Sequence, residues 1–216
     1  MNKFFNFTKE VFTGKSLGRI LFNWQVQKHC QNLKGISIDL AAGSNPSYYR
    51  YWGLDKNKVI KVDYKEKEGV DVVANLNHDL PFKDNHADNI FLFNAIYIIE
   101  EPKNLLREIR RVLKPGGIFF FNSPLINNEA PEPNDYRRLT SQGLTKLLEG
   151  SGFSNFEIIP LGERFSAGVN LWHSFFIFNF IRFFAFAKAL LLDKLIPKKI
   201  KKLHPCPISY FVIAKK

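Results

Sequence analysis

The sequence predicts an α/β fold: one sheet of seven strands, mostly parallel, with helices on both faces. Three observations predict it. Along residues 36–162, short apolar runs alternate with segments of helical periodicity. Several of those runs end in Asp, Asn or Gly, as strands do where they lead into a βα loop. The chain has 216 residues and is 45 % apolar, enough for one good-sized domain with an appendage, and disorder throughout is excluded.

The elements follow in order. The stretch 18–33 is expected to be a helix within an N-terminal region, 1–35. Residues 36–40 form the first strand, which ends in Asp39-Leu40-Ala41-Ala42-Gly43. A second strand, 59–62, ends at Asp63, and 70–74 is a weaker third. The fourth, 89–93, ends at Asn94. In 102–113, Leu105, Leu106, Ile109, Val112 and Leu113 recur at the spacing of an amphipathic helix. Lys114 is read into its last turn, and Pro115-Gly116-Gly117 as its stop. Residues 118–121 make the fifth strand. Thr140 reads as the N-cap of a helix over 141–149, closed by Gly150 and Gly152. Strands six and seven are 156–161 and 208–214, and there is no internal repeat.

Composition narrows the function. The net charge of +11 and the 22 Phe are unevenly placed. Residues 1–162 carry 21 basic and 18 acidic side chains, whereas 163–216 carry 10 and 2. Eight Phe fall between Phe165 and Phe186. The two Cys exclude a disulfide scaffold or a zinc cluster and suit a reducing compartment. The N-terminus shows no apolar run of signal-peptide length, so a cytoplasmic location is expected. His29, His78, His86 and His204 show no metal-ligand spacing, and no metal is expected.

In open α/β sheets, ligands bind beyond the carboxyl ends of the strands. The first loop is a small-residue turn, with Asn45 as N-cap and Pro46 at the first position of a following helix. Only Gly43 survives of the three glycines of a dinucleotide fingerprint, so a nicotinamide dinucleotide fits poorly. A nucleoside without phosphate needs less. Asp63, closing the second strand, is placed to accept two hydrogen bonds from a ribose diol.

Residues 36–162 resemble a class I S-adenosylmethionine-dependent methyltransferase of the type 11 group. Leu80-Pro81-Phe82-Lys83-Asp84-Asn85-His86-Ala87-Asp88 is similar to that family's stretch before strand four. Leu106-Arg107-Glu108-Ile109-Arg110-Arg111-Val112-Leu113-Lys114-Pro115-Gly116-Gly117 is similar to its helix-to-strand joint. Pro133-Asn134-Asp135-Tyr136-Arg137-Arg138-Leu139-Thr140 resembles a branch often found near bacterial surface-polysaccharide genes. The resemblance implies a seven-stranded Rossmann-like methyltransferase sheet with the last strand antiparallel, and S-adenosyl-L-methionine as cofactor. It implies that Asp39, Ala41, Gly43 and Ser44 cradle the amino-acid part of the cofactor. Asp63 would hold the ribose, Tyr64, Asn75 and Leu76 would meet the adenine, and Asn94 and Ala95 would face the transferred methyl. The 18–33 helix would cover this site. Ala41 stands where the family usually has Gly, so a negative φ or an altered turn is expected there. The family's usual Glu-His after strand four is replaced by Tyr97-Ile98. Tyr97, Glu100, Asp135 and Arg138 are the remaining catalytic candidates, with a purely structural turn as the competing reading of Asp135 to Arg138.

About 45 residues, 163–207, separate the last two strands where a short hairpin loop would serve. The uncharged run 166–181 has 16 residues, short of the roughly 20 that span a bilayer. Its polar positions do not share one helical face, so two short helices are expected rather than one interfacial helix. Lys198-Lys199-Ile200-Lys201-Lys202 follows. Four readings stay open for the insertion: a lid over an acceptor pocket, an anchor on an anionic membrane surface through 165–202, a nucleic-acid contact, and an oligomer interface. The lysines lack interleaved aromatics and Arg, which disfavours nucleic acid. The expectation is therefore methyl transfer to a small or lipid-linked acceptor, with a saccharide oxygen among the candidates. The site would lie in the cytoplasm or at the inner membrane face. The alternative is a non-catalytic nucleoside-binding or membrane-surface domain on the same fold. The expected organisation is a cap region 1–35, a core 36–162, the insertion 163–207 and a returning strand 208–216.

Overall fold

The structure is a computed structural model that describes residues 3–43, 46–54, 59–130 and 134–216. Helices α1 (Lys3–Phe12) and α2 (Leu17–His29) precede the sheet. Strands β1 (Ser37–Leu40), β2 (Val59–Asp63), β3 (Val72–Val73) and β4 (Ala87–Leu92) follow. Then come α3 (Pro102–Val112), β5 (Leu113–Pro124), α4 (Ser141–Gly150) and β6 (Asn155–Leu161). The chain ends through α5 (Arg164–Leu171), α6 (Asn179–Leu195), α7 (Lys198–Leu203) and β7 (Ser209–Lys215). The sheet order is β3-β2-β1-β4-β5-β7-β6, with β7 antiparallel to both its neighbours.

This order creates the site. From β1 the sheet grows one way to β2 and β3, and from β4 the other way to β5. Leu40 lies beside Val62 on one flank and Leu92 on the other, so the loops leaving β1, β2 and β4 emerge at one edge. That edge, between β1 and β4, is the switch point where a crevice opens.

Side chains alternate across the sheet as the strand period requires. Ile90, Leu92, Phe119 and Phe121 enter the core under α3 and α4. Phe91, Phe93, Phe120 and Phe211 enter the opposite core under α1 and α2, where the Phe91 and Phe120 rings stack 5.2 Å apart. Much of the Phe surplus is therefore core packing.

Helix α3 ends at Val112, earlier than the sequence pattern suggests, and Lys114-Pro115-Gly116-Gly117 lies inside β5. Leu113 pairs with Ala87 and Ile118 with Asn89, so the extra residues form an irregular bulge. Gly116 adopts φ +78°, and a side chain on Gly117 would meet the Lys114 carbonyl at 2.9 Å. The joint is thus a glycine-dependent bulge within a strand.

The similar stretches at 80–88 and 106–114 are bolted together by Arg111. Its guanidinium donates to Glu108 and Asp84 and to the Leu80 and Phe82 carbonyls, and Glu108 Oε2 accepts from the Leu80 amide at 3.0 Å. Charge-assisted bonds of this kind are the stronger class.

The insertion forms three α-helices rather than two short ones, and α6 alone has 17 residues. The reason is tertiary. Asp193, near the end of α6, accepts the Glu163, Phe165 and Ser166 amides at 3.0–3.3 Å and so ties α6 to the start of α5. Phe186 and Ala189 are buried, and the Phe183 ring meets Phe7 of α1 at 5.4 Å. Packing of α6 outweighs its mixed polar pattern. Among the described residues, no helix is long and apolar enough to cross a membrane.

Candidate active site

The first part of the site is a cradle at the end of β1. The Ala42 amide donates to the Val62 carbonyl at 3.1 Å, and the Gly43 amide donates to Asp63 Oδ2 at 2.8 Å. These two bonds fold the loop back over β2. Ala41 accordingly adopts φ +55°, against the expectation of a negative φ. The fixed turn on either side outweighs the roughly 1–2 kcal/mol that an L-residue loses in the left-handed region. Gly43 adopts φ +65°, and among the described residues a Cβ built on it would meet Asp63 Oδ2 alone, at 3.9 Å.

Ser44 and Asn45 lie outside the described residues. Pro46 is not the first residue of an α-helix; it precedes a 3₁₀ turn, Ser47–Tyr51. The turn tightens because Tyr48, Tyr49 and Tyr51 all point inward. Tyr48 Oη donates to Asp39 Oδ2 at 2.7 Å. Asp39 is 0 % exposed, its Oδ1 has no hydrogen-bond partner, and Tyr49 lies near it outside bonding geometry. Burial pushes the Asp39 carboxyl up to about 7, against the opposing pull of the Tyr48 bond. In this arrangement Asp39 is a buried post beneath the loop.

Asp63 Oδ1 accepts the Lys65 amide at 3.3 Å, and Tyr64 beside it is 66 % exposed. Asn75 and Leu76 follow β3, where Asn75 Oδ1 accepts the Asn77 amide at 3.0 Å and Leu76 is buried. Asn94 follows β4 with φ +54°, and Ala95 behind it is buried.

The second part is a cavity of about 240 Å³. Ser16, Gly18, Arg19 and Phe22 line it from α2 and its cap, and Asn94 and Tyr97 from beyond β4. Asn122, Pro124 and Asn127 come from the end of β5 and beyond, Ile208 and Ser209 from the start of β7, and Asn170 from α5. The Gly18 amide donates to Asn170 Oδ1 at 2.8 Å, which ties the insertion to the cavity wall. A wider depression of about 570 Å³ lies between residues 77–79 and α3. It shares no residue with the cradle or the polar cavity.

Of the four catalytic candidates, Tyr97 alone lines this cavity. Burial, with the Asp135 charge second, raises its phenol above the ordinary range, so it stays protonated. The Asp135 carboxylate is clamped by both Arg138 guanidinium nitrogens and accepts the Ala130 amide at 3.0 Å. Arg138 holds the Asp135 carboxyl below its usual range and lies 5.4 Å from the Tyr97 ring centre. Tyr136 Oη donates to Glu100 Oε1 at 2.8 Å, and the Tyr136 amide to the Tyr97 carbonyl at 2.9 Å. Residues 134–138 therefore strap the 97–100 turn in place. Arg19, Asn122, Asn127, Asn170 and Ser209 were not legible as site residues. They come from four separate segments and carry no shared spacing, although Asn94 and Asn122 each stand near the carboxyl end of a core strand. Among the described residues, no three His, Cys, Asp or Glu gather as a metal site.

This geometry agrees with known proteins. The sequence profile of a family described as "Methyltransferase domain" matches residues 34–121. An uncharacterised protein of Methanocaldococcus jannaschii is 28 % identical over 122 residues, which cover 54 % of this chain and 58 % of that one. A demethylmenaquinone methyltransferase of Renibacterium salmoninarum is 34 % identical over 88 residues, 37 % of each chain. The chain thus spans between 30 % and 58 % of the length of the curated relatives it matches. The fold is similar to a crystal structure of a SAM-dependent methyltransferase from Thermotoga maritima, with a TM-score of 0.56, 17 % identity, and coverage of 93 % of this chain and 91 % of that one. Residues 34–121 are thus similar to a methyltransferase domain, and the described sheet has the fold of a SAM-dependent methyltransferase structure.

Proposed function

We propose that the chain transfers a methyl group from S-adenosyl-L-methionine to a small polar acceptor held in the 240 Å³ cavity. The observation that carries this reading is the meeting of two features at one strand edge. The cradle at Gly43, tied to Asp63, lies on the β1–β2 side, and the polar cavity reaches the same edge through Asn94.

The cradle fits the cofactor. Gly43 has no side chain to bar close approach, and each Asp63 oxygen accepts one backbone amide and keeps capacity for a ribose hydroxyl. Tyr64 offers an exposed ring, with Asn75 and Leu76 beyond it, for the adenine. When bound, the cofactor supplies an electrophilic methyl carbon. The protein's part is to align the acceptor and exclude water. Among the described residues, no carboxylate or imidazole lines the cavity, and Tyr97 holds its proton. Four asparagines in the wall match a hydroxyl-rich molecule such as a saccharide.

A second reading concerns location. The insertion leaves Trp172, Phe175, Ile177, Phe178, Phe180 and Phe184 exposed, Phe175 at 78 % and Ile177 at 83 %. The four lysines of α7 stand on the same insertion. An apolar rim with a cluster of lysines suits the surface of an anionic membrane, at the cytoplasmic face, with the acceptor lipid-linked or delivered there.

Calorimetric titration with S-adenosylhomocysteine tests the proposal. Wild type should bind, and Asp63→Ala should bind at least about tenfold more weakly, since hydrogen bonds to a charged group contribute about 1.5–3 kcal/mol each. No binding by wild type would leave a non-catalytic domain on this fold. Unchanged binding by the variant would refute the ribose assignment.

A further inference from the structure

We propose that the cavity is built for an acceptor bearing an oxyanion, with Arg19 as its ionic partner. The inference rests on reading this cavity as the acceptor site. Arg19 lies in the first turn of α2 and lines the cavity. Its Nη1 is buried with no hydrogen-bond partner, and the guanidinium carbon lies 5.4 Å from the Phe22 ring centre. Among the described residues no carboxylate forms an ion pair with it. Glu10, the carboxylate that bears on it electrostatically, makes no ion pair with it: Glu10 Oε1 accepts from Asn23 Nδ2 at 2.6 Å and meets Lys15 at 3.4 Å, and its buried Oε2 has no hydrogen-bond partner. Asp39 is held by Tyr48. A largely desolvated cation without a counter-ion is unfavourable unless a ligand supplies one.

A second, independent observation comes from another residue that lines the cavity. Asn122 is 3 % exposed and its Oδ1 is buried without a partner. That oxygen calls for a donor, a hydroxyl or N–H, from whatever fills the cavity. Asn170 does not compete, because its Oδ1 already accepts the Gly18 amide. The positive end of the α2 dipole faces the same cavity through Ser16 and Gly18, which adds to the field favouring an anion. The volume is below the roughly 300–1,000 Å³ of pockets for drug-sized ligands. The chemistry that fits is a small polar acid, with an oxyanion on Arg19 and a hydroxyl or amine on Asn122. A guanidinium serves a carboxylate or a phosphate alike.

Ligand-observed NMR titration separates these cases, with D-glucuronate, inorganic phosphate and neutral D-glucose as probes. Wild type, Arg19→Gln and Asn122→Ala are compared. Wild type should bind an anionic probe in preference to glucose, and Arg19→Gln should weaken that binding by about tenfold or more. Preference for glucuronate marks a carboxylate site, and preference for phosphate a phosphate site. Asn122→Ala should weaken glucuronate and spare phosphate. The far-UV circular dichroism spectrum of Arg19→Gln should match that of wild type, which reports an intact fold. Equal binding of glucose and glucuronate, anion binding unchanged in Arg19→Gln, or no saturable anion binding by wild type would each overturn the proposal. If anion binding depends on Arg19 while wild type fails to bind S-adenosylhomocysteine, the anion site stands and the methyl-transfer reading falls.

Discussion

Replacing Asp39 with Asn should change how stability depends on pH. The Asp39 carboxyl is fully buried, accepts one hydrogen bond from Tyr48, and is pushed up from 3.8 to about 7. The unfolded chain exposes an ordinary carboxyl. Between these two values the folded protein holds a proton that the unfolded chain releases, so the Asp39 contribution to stability falls as pH rises. At about pH 5 the penalty is about 1.5 kcal/mol, and at about pH 8 it is about 4 kcal/mol. Asp39→Asn keeps an acceptor for the Tyr48 hydroxyl and removes the ionisation. The stability gap between variant and wild type should therefore widen by about 2.5 kcal/mol from pH 5 to pH 8, in favour of the variant. Urea unfolding followed by tryptophan fluorescence at the two pH values measures it. Other groups titrate equally in both proteins and cancel in the difference. Parallel pH curves would show that Asp39 is solvated or paired in the folded state, and the buried-post account would fail.

Arg111→Ala should lower the unfolding free energy by about 1–3 kcal/mol, because it severs the 80–84 stretch from α3. A urea midpoint equal to wild type would show that the network is ornamental. Asp193→Ala removes the acceptor of three amides at the start of α5 and should lower stability by about 1–3 kcal/mol, with faster proteolytic cleavage within 163–207. Cleavage confined to other segments would refute this role. Replacing Lys198, Lys199, Lys201 and Lys202 with Gln should reduce co-sedimentation with phosphatidylserine vesicles by about 1 kcal/mol per lysine. Equal sedimentation of variant and wild type, or none with either, would remove the membrane-surface reading.

What the sequence disclosed followed the range of the interactions involved. Strand runs and the α3 pattern depend on period and neighbours, and β1, β2, β4 and β6 stand within a few residues of where apolar runs place them. The antiparallel β7 is present as expected from the family resemblance. The α3–β5 joint misled because Pro-Gly-Gly reads locally as a helix stop, while pairing of Leu113 with Ala87 extends the strand through it. Ala41 misled because its intrinsic preference was weighed without the Ala42 and Gly43 bonds to β2 that fix the turn. The length of α6 depends on Asp193 reaching back to α5, a contact no local window contains. Arg19 has no motif around it, and its meaning comes only from the four other segments that line the same cavity. The split of charge sharpened similarly. The basic excess lies on an insertion that contributes Asn170 to the cavity wall and turns a Phe-rich surface outward.

The most direct test of the central claim is a crystal structure of the protein with S-adenosylhomocysteine bound. The account predicts the ribose on the Asp63 carboxylate, the amino-acid part over Gly43, and the sulfur turned toward Asn94 and the polar cavity. A ligand seated elsewhere, or one bound at this edge without contact to Asp63, would contradict it.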